Sequence, residues 1–307
     1  MARKLIVGYD GSENGDDALA LGAVLAECLA AAPLVATVLP YREHLIGSDR
    51  LGPAVEEDSK RIVAAVRERF GEVEAETRLI VEGSPSRALH EFAEGTDPVA
   101  LVIGSSHRGS LGRVLLGSVG AGLLSGAPCP IAVAPRGYAD ETGRRLLRIG
   151  VALNGSEESW PALEAAAGLA GRLHASLMLL AVVEPLRVSH GGQYPAIDPA
   201  SYQRASEEEL ARVLEGAVDR LPDGLPAERR LLEGNAAAVL AEASADFDLL
   251  VLGSRAYGPV RRALLGSVSS RLLEDAPCPV LIVPRGAGED PLGLGEVSDA
   301  ADGSATR

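Results

Sequence analysis

The sequence predicts an α/β protein of two tandem, doubly wound domains, each a parallel sheet covered by helices on both faces. Three observations carry that expectation. The order of features repeats: LIVGYDGS (5–12) returns as IGVALNGS (149–156), VEGS (81–84) as LEGN (232–235), and APCPIAVAPRG (127–137) as APCPVLIVPRG (276–286). Each copy alternates short apolar runs with helical stretches, the pattern of strands joined by crossover helices. Finally, 47% of the 307 residues are apolar but only 3% aromatic, so the cores must be built from Leu, Val, Ile and Ala. Two domain-sized copies are too few and too large for a solenoid.

In the first copy, KLIVGYD (4–10) is an apolar run ending in a turn, hence a first strand. Residues 15–31, rich in Ala and Leu, read as a helix that ends near Pro33. LVATVLP (34–40) is a second strand, about 54–70 a charged amphipathic helix, and VEAETRLIVEG (73–83) an alternating third strand. A short helix over 84–95, the strand VALVIG (99–104), a helix from Ser118 to Gly126 and the strand IAVAP (131–135) complete the copy. Strand–helix–strand units of this kind favour right-handed crossovers. The expected boundaries are 1–137 and 147–286 for the domains, 138–146 for a polar linker and 287–307 for a tail. That tail lacks periodicity and aromatics and is expected to be disordered. The second copy inserts HGGQYPAIDPASYQ (190–203) after its second strand, a Gly/Pro-rich stretch expected to loop over the domain edge.

A formal net charge of −14 argues against non-specific nucleic-acid binding and against docking on an acidic membrane. Cys28, Cys129 and Cys278 form no CxxC pair and no metal-ligand spacing, as in a reduced, cytoplasmic setting. The start MARKLIVGYDGS has too short an apolar run for a signal peptide, and no run approaches the roughly 18 residues of a membrane span.

Ligands of doubly wound sheets sit beyond the carboxyl ends of the strands, where strand order reverses. Three segments of each copy reach that edge: the turn Tyr9-Asp10-Gly11-Ser12, the end of strand two near Val38, and the loop GSSHRGSLGRVLLGSV (104–119). In the second copy they are Asn154-Gly155-Ser156, Val182 and GSRAYGPVRRALLGSV (253–268). An acidic side chain there can accept hydrogen bonds from a ribose or an adenine amine. Glycines let backbone N–H groups approach a phosphate, and Gly117-Ser118 opens a helix whose free N–H groups favour an anion. The Walker lysine is missing from GRVLLGS (112–118), and no GxGxxG follows strand one.

The segments VGYDGS, VIGSSHRGSLGRVLLGSV and APCPIAVAP, with their second-copy partners, resemble the universal stress protein family in its tandem-domain form, over nearly all of residues 3–286. The resemblance implies five strands per domain in the order 3-2-1-4-5, and pairing of the two domains through their fifth strands. It also implies, for one branch, ATP binding through a G-x2-G-x9-G-[ST] loop. Carried over residue by residue, the site is Asp10, Gly11, Val38, Gly104, Gly117 and Ser118 in copy one. In copy two it is Asn154, Val182, Gly253, Ala256, Gly266, Ser267 and Ser269. The middle glycine of the pattern is His107 in the first loop and Ala256 in the second. The second loop is therefore expected to hold phosphate better, and the first pocket, with Asp10, to hold adenosine better.

Plainer roles stand beside these. Asp10 can simply cap its turn. His107 can be an ordinary loop side chain. Arg108, Arg113, Arg255, Arg261 and Arg262 can contact phosphate or water alike. Cys129 and Cys278 fit structural positions entering strand five, and Trp160 fits a hydrophobic staple. The function expected is a cytoplasmic stress-response regulator or sensor that binds ATP or a related adenine nucleotide, with Mg²⁺ arriving on the nucleotide. The alternative is a nucleotide-independent stress adaptor with degenerate pockets. An enzyme is not expected; slow ATP hydrolysis and homodimerisation are left open.

Overall fold

The computed structural model of the chain describes residues 3–39, 51–71, 75–106, 112–115, 117–141, 143–186, 198–254, 267–285, 287–288 and 290–295. The first copy runs β1 (Lys4–Gly8), α1 (Glu13–Leu29), β2 (Ala32–Leu39), α2 (Leu51–Phe70), β3 (Glu76–Val81), α3 (Pro85–Thr96), β4 (Ala100–Gly104), α4 (Ser118–Leu124) and β5 (Ile131–Ala134). The second runs β6 (Arg148–Ala152), α5 (Ser159–Leu173), β7 (Ser176–Val183), α6 (Pro199–Val218), β8 (Ala227–Glu233), α7 (Ala236–Ala243), β9 (Leu249–Gly253), α8 (Ser267–Asp275) and β10 (Val280–Val283).

All ten strands form one sheet in the order β3-β2-β1-β4-β5-β10-β9-β6-β7-β8. Each half is thus 3-2-1-4-5 and parallel, as the resemblance implied. The halves meet antiparallel through β5 and β10, with Ile131 opposite Ile282, Ala132 opposite Leu281 and Val133 opposite Val280. Because Ala132 and Leu281 are equivalent positions of the repeat, this register puts a pseudo-twofold axis between them. Successive side chains of a strand point to opposite faces. Leu5 and Val7 accordingly join one core with Leu21, Ile149 and Leu163, while Ile6 joins the other with Leu101, Ile131, Leu250 and Val280. Each core runs unbroken across both copies. Burial on both faces is why the inner strands read as continuous apolar runs, while the edge strands β3 and β8 alternate.

The first helix starts where Ser12 accepts a hydrogen bond from Gly15 N at 3.2 Å, a regular N-cap. It buries Ala18, Leu21, Leu25 and Leu29 at helical spacing. In the second copy the regular helix begins later, at Ser159. Pro161 has no N–H to give the Glu157 carbonyl, and Ser159 N bonds Ser156 O at 3.0 Å instead.

Three expectations need correction. The tail is not wholly disordered: Leu292 is buried in the core shared by α1 and α5, and Leu294 packs where a side chain on Gly168 of α5 would stand. Asp290 caps that turn by accepting from Leu294 N and Gly295 N, both at 2.7 Å, and Gly293 O accepts from Arg3 beside β1. The tail segment 290–295 is held because it carries two leucines to bury; 296–307 lie outside the described residues. The insertion at 190–203 is not all loop, since Asp198 caps α6 and Pro199 opens it. Trp160 is the second residue of α5 rather than a staple before it, and the Arg220 guanidinium stacks 4.3 Å from its ring centre. The linker, too, is docked: Asp17 of α1 accepts from Gly137 N and Ala139 N, both at 2.8 Å, and Tyr138 between them is buried.

Candidate functional site

In each half the strand order reverses between the first and fourth strands, so a crevice opens beyond their carboxyl ends. In the first copy it is a cleft of about 270 Å³. The turn after β1, the end of β2, the end of β4 and the start of α4 all line it. Asp10, Val38, Gly104, Gly117 and Ser118, expected together from sequence, do converge there.

Asp10 keeps its plainer role as well. Its Oδ1 accepts from Ser12 N at 3.0 Å and from Ser12 Oγ at 2.5 Å, which fixes the turn and sets the N-cap of α1. Gly11 supplies the positive φ of 78° that this turn needs. The second copy repeats it without the charge: Asn154 Oδ1 accepts from Ser156 N at 3.1 Å, and Gly155 has φ 75°. Both bonds of Asp10 use Oδ1, so the turn does not call on Oδ2.

The glycines at the two ends of the strand-four loop have different reasons. A Cβ on Gly104 would lie 1.9 Å from the carbonyl oxygen of Asn14, and one on Gly253 would lie 2.1 Å from that of Glu158. Both are glycine because the first turn of the neighbouring helix crosses the strand end in backbone contact. Gly117 has no such constraint. Its φ of −78° and ψ of 178° suit any residue, and among the described residues the nearest atoms to an added Cβ are those of Ser106, from 3.4 Å. It caps α4 without a side chain, at a helix start whose first N–H groups have no partner within the helix.

The base of the loop is pinned. Ser106 N donates to Leu115 O at 2.6 Å, and Ser105 Oγ donates to the same carbonyl at 3.0 Å. Arg113 does not reach toward the cleft. It donates to Asp275 O at 2.7 Å and pairs with the Asp275 carboxylate at 3.5 Å, at the carboxyl end of α8 in the other copy. Val114 N donates to Ala276 O at 2.9 Å beside it.

Asn14 is the lining residue that sequence reasoning missed. It sits in the first turn of α1, is 8% exposed, and its Oδ1 has no hydrogen-bond partner. Leaving such an acceptor unmet costs roughly 1–3 kcal/mol. Its only sequence signal is a neutral amide among acids, in ENGDD (13–17). Tyr9 closes the wall behind it, donating to Asp16 Oδ1 at 3.1 Å, with its pKa pushed up to about 12, chiefly by burial.

In the second copy, Val182 on β7, Gly253 and Asn154 stand at the matching strand ends, and Ser267 and Ser269 at the start of α8. Ala256, Gly266 and the side chains of Ser267 and Ser269 lie outside the described residues, as do His107, Arg108, Arg255, Arg261 and Arg262. The expected advantage of the second loop for phosphate falls on those positions.

The three thiols are buried, with pKa values pushed up to about 11 for Cys28 and about 12 for Cys129 and Cys278, first by desolvation. They are packing residues. Among the described residues no cluster of His, Cys, Asp or Glu could hold a metal ion, and no helix is long and apolar enough to cross a membrane.

The model of the universal stress protein family matches residues 1–135 and again 146–284. Universal stress protein Rv2005c of Mycobacterium tuberculosis is 32% identical over 295 residues, covering 91% of this chain and 96% of that protein. Universal stress protein Rv2319c of the same organism is 26% identical over 296 residues, covering 91% and 99%. Among solved structures, a universal stress protein from Archaeoglobus fulgidus superposes with a TM-score of 0.68 at 19% identity, over 92% of this chain and 98% of that one. A putative universal stress protein from Pseudomonas aeruginosa gives 0.62 at 16%, over 92% and 93%. These two likenesses are of fold.

Proposed function

The chain belongs to the universal stress protein family, and from that premise we propose that its first copy binds an adenine nucleotide, ATP or a close relative, whose presence a stress-response partner reads. The observation that carries this reading is Gly117. Neither its backbone angles nor the described residues around it require glycine, and a ligand that approaches from the cleft accounts for the missing side chain. A phosphate is suited to that approach, since the head of a helix offers N–H groups and a positive dipole end. The adenine then lies toward Ala36 and Val38, with Asp10 Oδ2 available to an amine or hydroxyl. Mg²⁺ would be carried by the phosphates of the nucleotide, since among the described residues no cluster of His, Cys, Asp or Glu could hold it.

We take the role as binding and not catalysis, because Asp10 is the one carboxylate among the described residues lining the cleft, with no His, Cys or Lys beside it to form an acid–base pair. Thermal shift with ATP, ADP and AMP tests the reading. We expect millimolar ATP to raise the melting temperature of the wild type. Gly117→Asp should melt like the wild type without ligand and lose that shift. If none of the three nucleotides stabilises the wild type, the chain is a nucleotide-independent adaptor instead.

A further inference from the structure

Asn14 and Glu158 hold the same place in the two copies. The backbone carbonyl of each presses on the glycine that closes the fourth strand of its copy, Gly104 or Gly253. Their side chains differ in kind. Asn14 is a neutral amide in the wall of the cleft, nine-tenths buried, with its Oδ1 unpartnered. Glu158 is a carboxylate whose side chain is 15% exposed and lies 3.7 Å from Arg285 Nε, and Glu157 lies 3.9 Å from the same guanidinium.

We propose that this position decides which copy accepts a phosphate-bearing ligand. The Asn14 amide contacts it in the first cleft, while Glu158 bars anions from the matching edge of the second, so the chain binds one nucleotide. The inference rests on the nucleotide reading of the first cleft. In sheet order β2, β1, β4, Asn14 lies between the strand-two end of the cleft and the head of α4. The sugar and first phosphate of a nucleotide spanning the cleft would pass there. A primary amide suits both, accepting from a ribose hydroxyl or donating to a phosphate oxygen. Buried acceptors in folded proteins are almost always met; Oδ1 is closed to solvent in the free cleft, and a half-turn of the amide exchanges it with Nδ2 and brings it to a ligand's donor.

At the second edge an arriving phosphate faces Glu158 and competes with two carboxylates for Arg285. The turn charge moves the opposite way: acidic Asp10 is exposed in copy one, whereas neutral Asn154 replaces it in copy two. The middle-loop residues, His107 and Ala256, favour the second copy; the charge at the helix start favours the first. A formal charge next to a phosphate outweighs the difference between a histidine and an alanine in the loop.

Titration calorimetry of the full chain with Mg-ATP and with adenosine tests this. The wild type should bind one ATP. Asn14→Asp, nearly isosteric and acidic in a first helical turn that favours acids, should weaken ATP about 100-fold and adenosine far less. Asn14→Ala should weaken both about tenfold, which keeps the test alive if the acidic variant does not fold by circular dichroism. Glu158→Gln should leave the affinity of the first site unchanged. Two ATP per wild-type chain, unchanged affinity in the Asn14 variants, or loss of binding in Glu158→Gln each overturns the inference. A wild type that binds neither ATP nor adenosine overturns the nucleotide reading beneath it.

Discussion

The crevice edges of the two copies share a skeleton and differ in what lines it. Gly104 and Gly253 meet the same backbone contact, and Gly11 and Gly155 make the same turn at φ 78° and 75°. Around them Asp10 faces Asn154, Asn14 faces Glu158, and Asp17 faces Pro161. What the two copies share is backbone geometry that calls for glycine. What differs is charge and hydrogen-bonding capacity, the properties that select a ligand or hold a linker.

The largest effects expected test the shared part. Gly104→Ala and Gly253→Ala each force a methyl into a backbone carbonyl, and each should destabilise by about 3 kcal/mol or more in urea unfolding. If one is tolerated, the equivalence of the two edges is broken.

Next comes the linker clamp. Asp17→Ala strands two N–H groups and should cost roughly 3 kcal/mol, whereas Pro161→Ala, which touches no linker, should stay within about 1 kcal/mol. Burial holds the Asp17 pKa above the ordinary carboxyl value, against the opposing bonds from Ala139 and Gly137. A raised folded-state pKa gives stability that is complete below the unfolded value and is lost as pH rises through the folded one. The stability of the wild type relative to Asp17→Asn should therefore increase as pH is lowered from neutral through the carboxyl range, measured by denaturant melts at each pH.

Arg113→Ala removes an ion pair and a helix-end contact between the copies, and about 1 kcal/mol should be lost. The smallest stability effect sharpens the comparison most. Asp10→Asn copies the second turn into the first, so unfolding should change by less than about 0.5 kcal/mol. ATP binding should still weaken, because Oδ2 is gone.

Most of the fold was legible because both-face burial writes each inner strand as an apolar run, and because the second copy repeats the first. The tail and the insertion were misread for local reasons. Leu292 and Leu294 sit among glycines in LGLGE, too sparse for any period, yet the α1–α5 seam has room for them. Asp198-Pro199 is a cap signal hidden at the end of a Gly/Pro-rich stretch. In the first cleft, Asp10, Val38, Gly104, Gly117 and Ser118 were found by motif and do converge. Asn14 could not be, because an asparagine becomes informative only once it is seen buried without a partner. Nor could sequence separate Gly104, which the fold demands, from Gly117, which it does not.

The antiparallel seam of β5 and β10 has a genetic consequence. When such a pair is made by two separate, identical chains, any substitution strikes both members at once, and a change that spoils one site spoils the other. Here each member is encoded separately and always meets the same neighbour. An acid could settle at position 158 while an amide stayed at position 14, and neither change had to be survivable twice.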